Sequence, residues 1–126
     1  MPRAVLLEHH TPDGSMHYDW MVQRPAFGDR SPLSTFRIWE RIDLAQTTTF
    51  EAERLPDHRP EYLDLEGPLS GNRGEVRRLC RGDLLIEHDS PSRCTFRGTL
   101  GSARGLWEGR ARDGGRRWDF VFTTST

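Results

Sequence analysis

The chain contains no lysine: all eighteen of its basic side chains are arginine. That excludes chemistry resting on a lysine amine, such as a Schiff base, a lysyl-adenylate or a P-loop phosphate grip. Cysteine is nearly as scarce, with Cys80 and Cys94 on separate predicted strands. In the absence of an export signal these two are expected as reduced packing thiols rather than a disulfide. No run approaches the ~18 apolar residues of a membrane span, and residues 1–8 lack the apolar segment of a secretory signal. A cytoplasmic protein that does not enter a membrane is therefore expected. Apolar residues make up only 34% of the chain, with a mean hydropathy of −0.74. Such a composition predicts a thin core and a wet surface, which suits a small barrel or sandwich better than a layered α/β fold.

What is present is enough for one domain over residues 1–126 with its own core. Charge is unevenly spread: seven arginines against twelve acids in residues 1–69, eleven against seven in residues 70–126. An arginine-rich second half can meet phosphates through bidentate hydrogen bonds, or line solvated strand faces beside paired acids.

Alternation dominates the pattern. Ala4–Glu8, His17–Gln23, Leu33–Glu40, Thr47–Leu55, Glu75–Cys80, Asp83–His88, Ser92–Leu100, Gly105–Arg112 and Arg116–Thr123 read as strands. They are separated by turn-type breaks, among them Arg81-Gly82 and Asp113-Gly114-Gly115. Trp118, Phe120 and Phe122 share one face, as do Tyr18, Trp20 and Val22. Pro60 at a first helical position, with acids after it, predicts a short helical turn near residues 59–64. The prediction is an all-β fold, a small antiparallel β-barrel, expected as a monomer.

The segment His9-His10-Thr11-Pro12-Asp13-Gly14-Ser15-Met16-His17-Tyr18-Asp19 carries the chemistry. Residues two apart on a strand project together, so His17 and Asp19 share a face. The Pro-Asp-Gly turn folds His9 or His10 back beside them. Two imidazoles and a carboxylate suit Mn²⁺, Fe²⁺ or Zn²⁺ with coordination positions left open. Combining His17 and Asp19 with His58 instead would give the facial triad of a non-haem iron oxygenase. Arg77, Arg78, Arg97, Arg104 and Arg110 are candidates to track a nucleic-acid backbone.

Several pieces together resemble the 3′-phosphoesterase domain of bacterial DNA ligase D, in particular its short stand-alone relatives. They are Leu6-Leu7-Glu8-His9-His10, His17-Tyr18-Asp19-Trp20, Leu33-Ser34-Thr35-Phe36-Arg37 and Leu55-Pro56-Asp57-His58-Arg59-Pro60-Glu61-Tyr62. Glu66-Gly67-Pro68-Leu69-Ser70-Gly71, Arg73-Gly74-Glu75-Val76 and Phe96-Arg97-Gly98-Thr99-Leu100 continue the series over nearly the whole chain. The resemblance implies a β-barrel with a Mn²⁺ site on its concave side, held by His10, His17 and Asp19. The loop between the histidines is one residue longer here, which leaves His9 as the alternative ligand. His58 and Tyr62 are implied as phosphate-gripping catalytic residues, and a ligase as a partner. The implied reaction removes a ribonucleoside, then a phosphate, from nucleic acid 3′ ends. Met21 departs from the family's ligase-fused members, which place a phosphate-binding arginine there; Arg37 or Arg59 is the expected replacement. The alternative is a non-catalytic barrel of the same fold that binds nucleic acid or a ligase.

Overall fold

The structure, a computed structural model, describes residues 3–125. Nine strands follow one another: β1 (Arg3–His10), β2 (Met16–Gln23), β3 (Leu33–Ile38), β4 (Thr49–His58), β5 (Gly67–Pro68), β6 (Glu75–Asp89), β7 (Arg93–Leu100), β8 (Ala103–Arg112) and β9 (Arg117–Thr124). Every pairing is antiparallel. The order β1-β2-β3-β4-β9-β8-β7-β6 returns to its start through a β1–β6 pairing, so eight strands close into a barrel. The all-β barrel read from alternation is thus the fold, and the expected helical turn is a single 3₁₀ turn over Pro60–Leu63. Among the described residues no helix is long and apolar enough to cross a membrane.

Closure depends on β6, and here the sequence reading needs correction. The break expected at Arg81-Gly82 does not exist; fifteen residues run on as one strand. Gly82 lies opposite Ala4 on one side and Leu100 on the other, where the strand passes from pairing with β1 to pairing with β7. A Cβ at Gly82 would sit 2.1 Å from the Thr99 carbonyl oxygen. The glycine therefore serves close backbone approach at a barrel corner, not a turn.

The interior explains how so few apolar residues suffice. Ala4 and Leu6 of β1, Trp20 and Val22 of β2, and Phe36 and Ile38 of β3 point inward. They meet Phe50, Phe96, Trp107, Trp118, Phe120 and Phe122 from the other strands. Trp20 sits at the centre, its ring centroid 5.1 Å from Phe96, 5.3 Å from Phe120 and 5.8 Å from Phe36. Eight strands leave a lumen just wide enough for side chains, and a few large rings fill it. The filled lumen has no room for a ligand, so any site must lie outside.

The opposite pleat of β1–β3 is also apolar, which is unusual for a barrel exterior. Val5, Leu7, Met21 and Leu33 are buried there beneath Leu63, with Tyr62, Leu65 and Leu69 packed alongside. The chain between β4 and β6 thus lies as a cover over the outer wall of the first three strands. Alternation assigns each residue to one of these two layers.

Both cysteines are free. Burial pushes each thiol up to about 12, so thiolate is scarce at neutral pH and nucleophilic attack is slow. A thiol-reactive chromophore at pH 8 should label neither residue promptly in the folded protein and both after addition of denaturant. Prompt stoichiometric labelling of the native chain would contradict this packing.

Candidate metal centre

Hairpin register assembles the site. Strands β1 and β2 pair with His9 opposite His17, and Leu7 opposite Asp19. Directly opposed residues share a face, so His9, His17 and Asp19 all stand on the outer wall. One ligand atom from each lies within 4.8 Å of the others. Ligand atoms about 2.0–2.2 Å from a shared ion stand slightly closer than that, a gap small side-chain rotations close.

His10 does not belong to this set. It occupies the other pleat, half exposed, and its Nε2–H donates to Glu8 Oε1 at 2.7 Å. The assignment of His10 is therefore corrected in favour of the alternative, His9. The reason is strand parity: His10 pairs with Met16, and only its neighbour faces His17. The resemblance also implied a concave site, whereas the trio stands on the outside of the wall. A facial triad including His58 does not form either, since the only such trio among the described residues is His9, His17 and Asp19.

The polar atoms of the trio are poorly satisfied by protein. The side chains of His17 and Asp19 are each 8% exposed and that of His9 is 15% exposed. His17 Nε2 and Asp19 Oδ1 lie 3.2 Å apart, but not in line, and neither has a hydrogen-bond partner. Leaving two such groups buried and unpaired costs free energy unless something else binds them. His9 differs: Nδ1 faces Asp19 Oδ2 at 3.2 Å, while Nε2–H donates to the Arg73 carbonyl at 2.9 Å. An imidazole with one nitrogen turned into a ligand cluster and the other anchored on a backbone carbonyl is the usual support for a metal-binding histidine. The donor set therefore fits a divalent ion of the borderline class.

The electrostatics agree. Burial pushes the Asp19 carboxyl up, but the adjacent His17 and His9 imidazoles outweigh it and bring its pKa down to about 2. Asp19 also raises the pKa of His9, against the opposing effect of burial and with help from the Arg73 carbonyl. A carboxylate kept ionised between two imidazoles is already an electrostatic template for a cation.

Arg37 lies across from Asp19 on β3. Its Nη1 donates to Glu53 at 3.5 Å, while its Nε is buried without a partner. That places an uncommitted N–H donor on the same outer face as the trio. His58 shares this face but lies opposite Leu33, four residue positions along the sheet from the Asp19–Arg37 level. At the usual strand rise that is about 13 Å, too far to reach a group on the same ion. Its Nδ1–H donates to the Pro56 carbonyl at 2.9 Å, leaving Nε2 unengaged, and its ring meets Tyr62 edge-on at 5.1 Å. Met21 is buried beneath the cover and offers nothing to the surface. Arg59 is exposed and lies 3.7 Å from Glu61.

Sequence reasoning missed Arg73, whose carbonyl holds His9. Its segment, residues 68–74, reads only as a loop, yet Gly74 brings it against β1. With φ +93°, a Cβ at Gly74 would sit 2.0 Å from the His10 carbonyl oxygen. Glu66 also has its place: it accepts from the Arg78 N–H at 3.1 Å and pairs with the Arg78 guanidinium at 3.4 Å. Of the arginines proposed to follow a nucleic-acid backbone, Arg77, Arg78 and Arg97 are paired to Glu8, Glu66 and Glu87. Only Arg104 and Arg110 lack a carboxylate partner among the described residues.

Fold and site together define a closed antiparallel barrel with a two-histidine, one-carboxylate cluster on its outer wall. No protein-family model matches the chain, and no curated protein matches it.

Proposed function

We propose that this barrel is a Mn²⁺-dependent phosphoesterase acting on nucleic acid 3′ ends, in keeping with its resemblance to the ligase D phosphoesterase domains. The observation that carries the reading is the convergence of His9, His17 and Asp19, two of them with buried unpaired ligand atoms, beside the free Nε of Arg37. His9, His17 and Asp19 would hold a divalent ion, which would supply Lewis acidity toward a phosphate oxygen and toward water. Asp19, kept ionised, and the Nδ1 of His9 are the anionic and neutral donors; His17 completes the face through Nε2. Arg37 donates to a phosphate oxygen and offsets charge building on the equatorial oxygens. His58 and Tyr62 contact the strand further from the ion, His58 through its unengaged Nε2. A separate ligase would use the ends so prepared.

Manganese-loaded protein should release inorganic phosphate from a 3′-phosphorylated primer. Chelation, or Asp19→Ala, should reduce release to background. Identical release from the Asp19 variant would refute the assignment. A second reading is a barrel that binds such ends without turnover. It is favoured by the burial of Met21, where the resembled family has an arginine, and by the distance of His58 from the ion set. Salt-sensitive binding of the primer with no phosphate released would select it.

A further inference from the structure

We propose that the cavity between the Pro60–Leu63 turn and the Ser70–Asn72 turn is a second phosphate subsite. It would take the phosphodiester next to the terminal phosphate of a nucleic-acid strand, with Arg73 as its cation. The orientation of the strand rests on the proposed 3′-end reading; the subsite itself rests on the surroundings of Arg73.

The Arg73 guanidinium is fixed but not neutralised. Its Nε donates to the Ser70 carbonyl at 2.7 Å, Nη2 to Ser70 Oγ at 3.1 Å and Nη1 to Tyr62 Oη at 3.4 Å. All three acceptors are uncharged, and among the described residues no carboxylate pairs with it. Arginine has five N–H donors, so two remain for a ligand after these bonds are made. A planar fork already held in place loses little freedom on engaging a phosphate.

The cavity walls suit a nucleotide. An open groove of about 290 Å³ lies between Arg59, Tyr62, Leu65, Leu69, Ser70 and Arg73. Arg73 supplies it with a cation that no carboxylate pairs among the described residues, two leucines line it, and Tyr62 offers an aromatic ring on which a base can stack. Glu61 also borders it, 3.7 Å from Arg59. One residue links the cavity to the candidate metal centre: the carbonyl of Arg73 accepts a hydrogen bond from His9 while its side chain lines the cavity. A strand whose terminal phosphate lies at the ion therefore has its next nucleotide within reach of one arginine side chain. The close approach of Gly74 to β1 fixes that spacing.

The test compares manganese-loaded parent and Arg73→Gln proteins in binding a 3′-phosphorylated single-stranded oligonucleotide and a nucleoside 3′-monophosphate over a salt series. The parent should prefer the oligonucleotide. Arg73→Gln should erase that preference and lower the log–log salt slope for the oligonucleotide by about 0.7, one phosphate contact. Affinity for the monophosphate should stay where it was. Mn²⁺ binding, which uses only the Arg73 backbone, reports that the variant is folded. Arg73→Lys, which keeps the charge without the fork, should restore the slope. Equal loss for both ligands, or no loss for either, would overturn the subsite. Phosphate release by the parent, measured alongside, separates the two readings. Length-dependent binding without release leaves the subsite standing and removes the enzyme, whereas release without length dependence does the reverse.

Discussion

Replacing His17 by leucine should abolish the thermal response of the protein to Mn²⁺. Without metal, the change removes a nitrogen, Nε2, that is buried and unpaired, and with it one of the two imidazoles that hold Asp19 ionised. Leucine relieves the first cost and adds the second, so each protein is compared with its own metal-free Tm. The large effect appears on adding metal. An ion that binds only the folded chain stabilises it by about 2.7 kcal/mol at a hundred times its dissociation constant. For a domain of this size that amounts to roughly 10 °C in Tm. The parent should show this shift and the variant should not. Melting curves with and without Mn²⁺ decide it. A variant that keeps the parent's shift would remove His17 from the ion set.

Trp20→Ala should have the opposite profile, with the fold lost before any question of metal arises. Trp20 is fully buried and lies within 6.2 Å, centroid to centroid, of Phe36, Phe50, Phe96, Trp107 and Phe120. Truncation opens a cavity at the barrel axis, and neighbours anchored on different strands cannot collapse into it. Large aromatic-to-alanine changes in cores cost about 3–5 kcal/mol. Against a total of about 5–15 kcal/mol for a domain, that leaves little or nothing. Urea unfolding followed by tryptophan fluorescence and circular dichroism measures the loss. A cost below about 1 kcal/mol would mean the rings are not mutually supporting, contrary to the packing described.

Much of this could be read from residue order. Alternation on β2 and β9 identified inward residues correctly, because successive side chains of a strand point to opposite faces. The 3₁₀ turn was legible because proline fixes the backbone where a helical turn begins. Gly82 misled, since a glycine between charged residues resembles a turn; its close approach to Thr99 comes from a strand distant in sequence. The choice between His9 and His10 turned on a register of one residue, set by how the Thr11–Ser15 loop closes. The loop closes with an Asp13 carboxylate accepting from the Ser15 N–H and hydroxyl and the Thr11 hydroxyl. Counting from that loop would have identified His9. Nothing local marks the cover over β1–β3, or Arg73 within it, because those contacts join segments from 30 to 64 residues apart.

The three ligand candidates occupy one pleat of β1 and β2, while the rings that hold the barrel shut occupy the other. A change at His9, His17 or Asp19 therefore leaves the ring-filled interior untouched. A lineage could exchange those three residues one by one and still inherit an intact cylinder.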